Sequence, residues 1–260
     1  MASILDTIVA RKKEEVAELA AKGIRVPTGF EDKKIDSPRG FREALVSYDG
    51  VSVIAEVKKA SPSKGVICED FHPVKIAENY CRSGAQAISV LTDRDFFQGD
   101  LLYMMQVREA VKLPVIRKDF IIDELQIKEA SVCGADAILL IAAILDVQQL
   151  KDYQAYAAEF NIDSLVEVHD ETETEKALEA GCNLIGVNNR NLKTFEVDIN
   201  TTFRIKKMVP GSLPLVSESG LKSREDFEAL EREKICAALI GESLMRRGTE
   251  NNVLAEMRGV

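Results

Sequence analysis

Histidine is nearly absent. The 260-residue chain holds two, His72 and His169, which excludes a metal centre built on several histidines. Cysteine is scarce and unpatterned. Its five residues, Cys68, Cys81, Cys133, Cys182 and Cys236, are odd in number, widely spaced and form no CxxC. That fits reduced thiols, mostly buried as small apolar residues, and not a disulfide framework. No apolar stretch is long enough to span a bilayer. Residues 1–13 carry charges where a secretion signal needs an apolar run, so the expected location is the cytoplasm. Basic charge is in deficit: 34 Lys and Arg against 43 Asp and Glu leave a net charge of -9 and a pI near 5.0. An acidic surface argues against nucleic acid or an anionic membrane as the main partner. It leaves room for a local basic pocket that takes an anionic small molecule. Linkers and low-complexity tracts are missing, and so is the Gly-rich fingerprint that an open doubly wound sheet usually carries after its first strand.

Short apolar runs are plentiful. Eight of them, rich in Val, Ile and Leu, lie at 51–57, 85–91, 113–116, 136–141, 164–168, 183–187, 213–216 and 237–240. Such runs suit strands buried on both faces. Segments with helical spacing lie between them at 73–83, 124–133, 147–160, 171–180 and 223–231. Pro73 marks a start, and Gly84, Gly134 and Gly181 mark stops. Alternation of this kind implies parallel strands with right-handed crossovers. Eight units within 51–260 fit a closed (β/α)8 barrel. Residues 1–50 read as an N-terminal helical extension: Ile4, Leu5, Ile8, Val9 and Val16 share a helical face, 27–36 reads as loop, and 40–46 as a second short helix. The extension either plugs the barrel's bottom or forms a lid with Arg39 or Phe41 near the substrate. The whole chain, 1–260, is expected to form a single domain.

The charges sit where function would put them. Ionisable side chains in buried strands are costly unless paired or functional. Here they fall at the C-terminal ends of the runs, the end that carries the active site in such barrels. Alternation puts Glu56 and Lys58 on one face above Ile54. If the other strand ends face inward too, the mouth gathers Glu56, Lys58, Lys118, Glu167, Asn188, Arg190 and Glu218. Three carboxylates against three cations can supply both acids and bases. A single member reads equally as a strand-end salt bridge, but repetition on five strands makes a purely structural origin hard to sustain.

The loops add detail. Ser217-Glu-Ser-Gly220 and Ile240-Gly-Glu-Ser243 follow the seventh and eighth runs, where small residues form the usual phosphate site of these barrels. The loop Ala60-Ser-Pro-Ser-Lys-Gly65 has the wrong spacing for a Walker A loop and reads either as a flap near the mouth or as a solvated turn. Phe96 and Phe97, and Phe120 two residues beyond Lys118, either line an apolar pocket for an aromatic ring or pack beneath the next helix.

At these residues the chain resembles the indole-3-glycerol phosphate synthase family, over roughly residues 4–257. The resemblance rests on Ile54-Ala-Glu-Val-Lys-Lys-Ala-Ser-Pro-Ser-Lys-Gly65, Leu91-Thr-Asp93, Phe97-Gln-Gly99, Lys118-Asp-Phe120, Leu165-Val-Glu-Val168, Gly186-Val-Asn-Asn-Arg190, Val216-Ser-Glu-Ser-Gly220 and Ile240-Gly-Glu-Ser-Leu-Met245. It implies a barrel with an N-terminal extension. The implied reaction takes 1-(2-carboxyphenylamino)-1-deoxyribulose 5-phosphate to indole-3-glycerol phosphate with loss of CO2 and water and no cofactor. The family's catalytic lysine falls on Lys118 and its catalytic glutamate on Glu167. Further active-site positions fall on Glu56, Lys58, Asn188, Arg190, Glu218 and Ser219. The flap serine falls on Ser61, and the phosphate loops on Ser219, Gly220, Gly241 and Glu242. Ala60 and Glu242 depart mildly from the pattern, and a phosphate held by main-chain N–H beside Glu242 requires that side chain to point away.

The implied chemistry suits the residue types. Lys118, expected to sit among other cations with a lowered pKa, can protonate the ketone during ring closure. Glu167 can act as base, with Glu56 orienting the lysines. Lys58 can grip the substrate carboxylate or share the acid role. Arg190 or Asn188 can bind substrate oxygens, and Phe97 and Phe120 suit the anthranilate ring. A phosphoribosylanthranilate isomerase would need a Cys and Asp pair at strand ends, and no Cys falls so. A barrel reduced to a binding or regulatory subunit should have lost charges from the ring, and none is missing. The exterior helices show no large apolar patch, which suits a monomer.

Overall fold

Each apolar run forms a strand. In chain order these are β1 (Ser52–Val57), β2 (Ala87–Leu91), β3 (Val115–Lys118), β4 (Ala137–Ile141), β5 (Asp163–Val168), β6 (Ile185–Asn188), β7 (Leu215–Glu218) and β8 (Ala237–Ile240). The computed structural model describes residues 3–192, 194–247 and 253–258. The ends of the expected 1–260 span lie outside the described residues. All eight strands pair in parallel, and β1 pairs with both β2 and β8, so the sheet closes into a barrel. Strands β3, β6 and β7 run one or two residues further than the apolar runs, to Lys118, Asn188 and Glu218.

Helices alternate with the strands: α3 (Pro73–Arg82), α4 (Leu101–Ala110), α5 (Glu124–Val132), α6 (Val147–Glu159), α7 (Glu171–Glu179), α8 (Asn200–Lys206), α9 (Arg224–Arg232), α10 (Glu242–Arg247) and α11 (Val253–Arg258). Their starts have local causes. Asp100, Asp123, Asp146, Asp170 and Ser223 each accept a hydrogen bond from a main-chain N–H in the first turn of α4, α5, α6, α7 and α9. Helices α4, α8, α10 and α11 are absent from the sequence reading. The first is apolar with little periodic contrast, the second is seven residues long with no side-chain cap, and the last two are six residues each.

Side-chain alternation divides the core into two shells. Val53, Ala55, Val57, Ile88, Val90, Ile138, Leu140, Val166, Val168 and Val187 point outward and pack under the helices. Ile54, Ala87, Ile116, Leu139, Leu165, Val216 and Leu239 point inward and fill the barrel. A filled interior leaves no pore, so the strands can meet a ligand only at the barrel's two ends.

The extension serves both ends. Helix α2 (Phe41–Val46) buries Phe41 and Leu45 in the inner shell, and Leu45 O accepts from Ser52 Oγ at the start of β1. Just before it, the Arg39 guanidinium donates to Val111 O, Leu113 O and Arg108 O, and Arg39 N–H donates to Asp136. These partners lie at the end of α4 and just before β3 and β4, at the barrel's bottom. Arg39 and Phe41 therefore plug the bottom, which corrects the alternative that places them near the substrate. Helix α1 (Ile4–Lys22) goes to the other end. Its Lys12 lies against Asp93 and Asp119, just past the ends of β2 and β3. The five cysteines are free thiols, with Cys133 and Cys182 buried and Cys68, Cys81 and Cys236 only partly so, fewer buried than expected.

Candidate active site

The inner shell has a charged top. Glu56 follows Ile54 by two residues, Lys118 follows Ile116, Glu167 follows Leu165, and Glu218 follows Val216. The residues two earlier all belong to the inward apolar stack. The period of two thus carries four ionisable groups to the C-terminal mouth, as expected. Glycine makes room for them. A Cβ on Gly186, which registers with Glu167 and Val216, would strike Glu218 Oε1. A Cβ on Gly241 would strike Glu56 Oε2.

At the centre, Lys118 Nζ donates to Glu218 Oε2 at 2.7 Å and to Glu167 Oε2 at 2.9 Å. Lys58 Nζ pairs with Glu56 Oε2 alongside. Burial pulls the Lys118 ammonium towards neutrality, but the carboxylates of Glu167, Glu218 and Glu56 outweigh it and hold the pKa above its ordinary value. This reverses the expectation of a lysine lowered by neighbouring cations: what touches its Nζ is carboxylate. The two glutamates that share it diverge. Burial, aided by the charges of Glu167 and Glu56, pushes Glu218 up to about 7 against the pull of Lys118. Glu167 is buried too, but Lys118 and His169 outweigh that burial and hold it below the ordinary carboxylate range. One ammonium between an ionised carboxylate and one that titrates near neutrality is a proton-handling arrangement.

The rim carries the other expected residues. Asn188 registers with Glu218, and its Oδ1 accepts from Ser219 Oγ at 2.9 Å and Arg190 N–H at 3.1 Å. Ser219 and Gly220 both take left-handed backbone conformations, φ +68° and +91°, turning the chain back over the end of β7. Arg190 Nη2 lies 3.6 Å from Glu242 Oε2. The Glu242 side chain is therefore turned towards Arg190. Phe97 and Phe120 lean together, ring centroids 5.9 Å apart, as one aromatic wall. Ser61 lies in a small hairpin after β1 (Ala60–Ser61 with Gly65–Val66), half-buried, opposite Gly65. Its hydroxyl is bonded to no described residue of the ring.

Three groups escaped the sequence reading. His169 lies two residues beyond Glu167, with the same inward parity, and its Nε2 is 3.3 Å from Glu167 Oε1. Parity alone was enough to flag it. Lys12 is 2% exposed and joins Asp93 at 2.8 Å and Asp119 at 2.9 Å. A lysine on the apolar face of α1, four residues after Ile8, was the available signal. Asn189 Oδ1 accepts from Thr202 N–H and Oγ1, and its Nδ2 donates to Ser217 Oγ and Ser219 O, bracing the β6 and β7 loops. Nothing in its sequence context separates it from any strand-end Asn.

Comparisons with known proteins agree with this geometry. A family model described as indole-3-glycerol phosphate synthase matches residues 5–257. The chain is 69% identical to the indole-3-glycerol phosphate synthase of Desulfotalea psychrophila, with 99% of each chain covered. It is 46% identical to that of Acetivibrio thermocellus, over 99% of this chain and all of the other. Among solved structures it resembles the KGPDC of Streptococcus mutans, with a TM-score of 0.59 and 12% identity, covering 81% of this chain and 97% of that one. That last likeness bears on the barrel fold alone.

Proposed function

The chain belongs to the indole-3-glycerol phosphate synthase family, and from that premise we propose how its ring of strand-end charges divides the work. The function is ring closure of 1-(2-carboxyphenylamino)-1-deoxyribulose 5-phosphate to indole-3-glycerol phosphate, a carboxy-lyase step of tryptophan biosynthesis. The substrate is a phosphorylated small molecule.

Ring closure joins the aromatic carbon that bears the carboxylate to the ketone carbon. Negative charge gathers on the ketone oxygen, and Lys118 Nζ stabilises and protonates it. Loss of CO2 then leaves its bonding pair with the ring. Dehydration needs a proton on the departing hydroxyl and the removal of one from the neighbouring CH2. Glu167, ionised and fixed, takes the second. Glu218 can hold a proton near neutral pH and return it to Lys118, with which it shares a 2.7 Å hydrogen bond. Glu56 orients Lys58, which grips the substrate carboxylate or shares the acid role. Asn188 and Ser219 fix substrate hydroxyls, Phe97 and Phe120 take the aromatic ring, and Ser61 closes over it. The phosphate goes to the main chain of Ser219, Gly220, Gly241 and Glu242, with Arg190 leaving Glu242 to meet it. Residues 51–260 form the barrel and 1–50 the extension of one domain, working as a cytoplasmic monomer. No helix among the described residues is long and apolar enough to cross a membrane.

The observation that carries this reading is Lys118 clamped between Glu167 and Glu218 at the barrel mouth. Lys118→Ala should lower kcat by about 10²–10⁴-fold, the range for loss of an acid or base. The measurement is indole product formation, with circular dichroism to check the fold. Near-normal turnover from a folded variant removes Lys118 from the mechanism.

A further inference from the structure

His169 stands where a proton-transfer base would be tuned. It lies just beyond the end of β5, two residues past Glu167, and its ring lies between two carboxylates. Nδ1 is 3.0 Å from Glu173 Oε2 on α7, and Nε2 is 3.3 Å from Glu167 Oε1. The same Glu173 oxygen accepts from His169 N–H at 2.8 Å, so main chain and ring are fixed together. The Nε2 contact is an ion pair and not an aligned hydrogen bond. Glu167 is thereby held on both oxygens, Oε2 by Lys118 and Oε1 by His169. The charged residues that line the cavity beside His169 are Asp170, Glu173, Glu196, Asp198 and Arg204, four acidic against one basic.

That placement matters because Lys118 must leave. When Lys118 gives its proton to the substrate, Glu167 loses its partner at Oε2 while still buried. An isolated buried carboxylate takes up a proton. A cation at Oε1 keeps it ionised and in place through that moment.

We propose that His169 is a positioning residue for Glu167: as an imidazolium braced by Glu173, it fixes the glutamate's carboxylate and keeps it ionised during turnover. This rests on the reading of Glu167 as the base. The imidazolium stays charged through neutral pH, because the charges of Glu167 and Glu173 and the hydrogen bond to Glu173 outweigh the burial that disfavours it.

The test is the pH profile of kcat in the wild type, His169→Gln and Glu167→Gln. Glutamine keeps the size and hydrogen-bonding capacity of His169 but not its charge. Loss of the cation raises the apparent pKa of Glu167, so the acid limb of His169→Gln should move up by about one pH unit or more, as expected for losing an opposite charge at this distance. Its activity near pH 8 and its KM should change far less. An unmoved acid limb overturns the proposal, as long as Glu167→Gln is inactive. If Glu167→Gln turns over normally, the base assignment is what has failed. Should His169→Gln not fold, nitrogen NMR of the wild type decides, since only His72 and His169 contribute ring signals. Both His169 ring nitrogens should remain protonated at pH 8, and a neutral ring there contradicts the proposal.

Discussion

At the scale of single residues, the site depends on what is missing from Gly186. Its bare Cα lets Glu218 lie over β6 with Oε1 where a methyl would sit. Gly186→Ala should push the carboxylate off Lys118 and crowd the inner shell. Overpacking of this kind costs about 1–3 kcal/mol. Urea denaturation should show that loss, and kcat should fall at least about tenfold if Glu218 takes part in proton handling. A stable variant with normal kcat separates Glu218 from the chemistry. His169 gives a second expectation. Its pKa rises from 6.5 to about 10 on folding. A raised base binds its proton more tightly in the folded state, so its contribution is complete below pH 6.5 and is lost as pH climbs towards 10. The slope is at most about 1.4 kcal/mol per pH unit. Stability against urea should therefore decline between pH 7 and 10 in the wild type and decline less in His169→Gln. Equal slopes contradict the pairing.

At the scale of elements, the strands were legible and the loops were not. A run such as 164–168 carries its own signal, since β-branched and aliphatic residues in a stretch too short for a helix leave few alternatives. The parity of charges at its end then names Glu167. No such rule reaches across elements. The partners of Lys118 come from β5 and β7, and sequence spacing gives no distance between strands, which is why its neighbours were taken for cations. The place of α1 was hidden for the same reason. Lys12 bridges Asp93 and Asp119, and these aspartates also hold the aromatic loops: Asp93 Oδ1 accepts from Phe96 and Phe97 N–H, and Asp119 Oδ1 from Phe120 N–H. Lys12→Ala strands two buried carboxylates. Breaking a buried pair in this way costs about 3–5 kcal/mol. Arg117, still beside Asp119, places the expected loss at the lower end. A thermal transition within a degree of the wild type excludes Lys12 as the anchor of α1.

At the scale of the whole molecule, one architectural rule does most of the placing. A closed parallel barrel whose interior is filled by Ile54, Ile116, Leu165 and Val216 has no ligand site below its rim. The next inward position on each of those strands is charged. The bottom is sealed by Phe41, Leu45 and the Arg39 contacts, so stability and chemistry are segregated to opposite ends. The fold class and five of the seven ring positions followed from alternation alone. The other two, Lys58 and Arg190, lie beyond the ends of β1 and β6, and the pairing of Arg190 with Glu242 depends on a loop path that alternation does not describe.

The most direct measurement of this division of labour is a crystal structure with indole-3-glycerol phosphate bound. The indole ring should lie against Phe97 and Phe120, with Lys118 Nζ and Glu167 facing its five-membered ring. The phosphate should sit on the Ser219–Gly220 and Gly241–Glu242 main chain, with Arg190 turned from Glu242. A product bound outside the mouth, or with its five-membered ring away from Lys118 and Glu167, contradicts the assignment of the strand-end ring as the site of proton transfer.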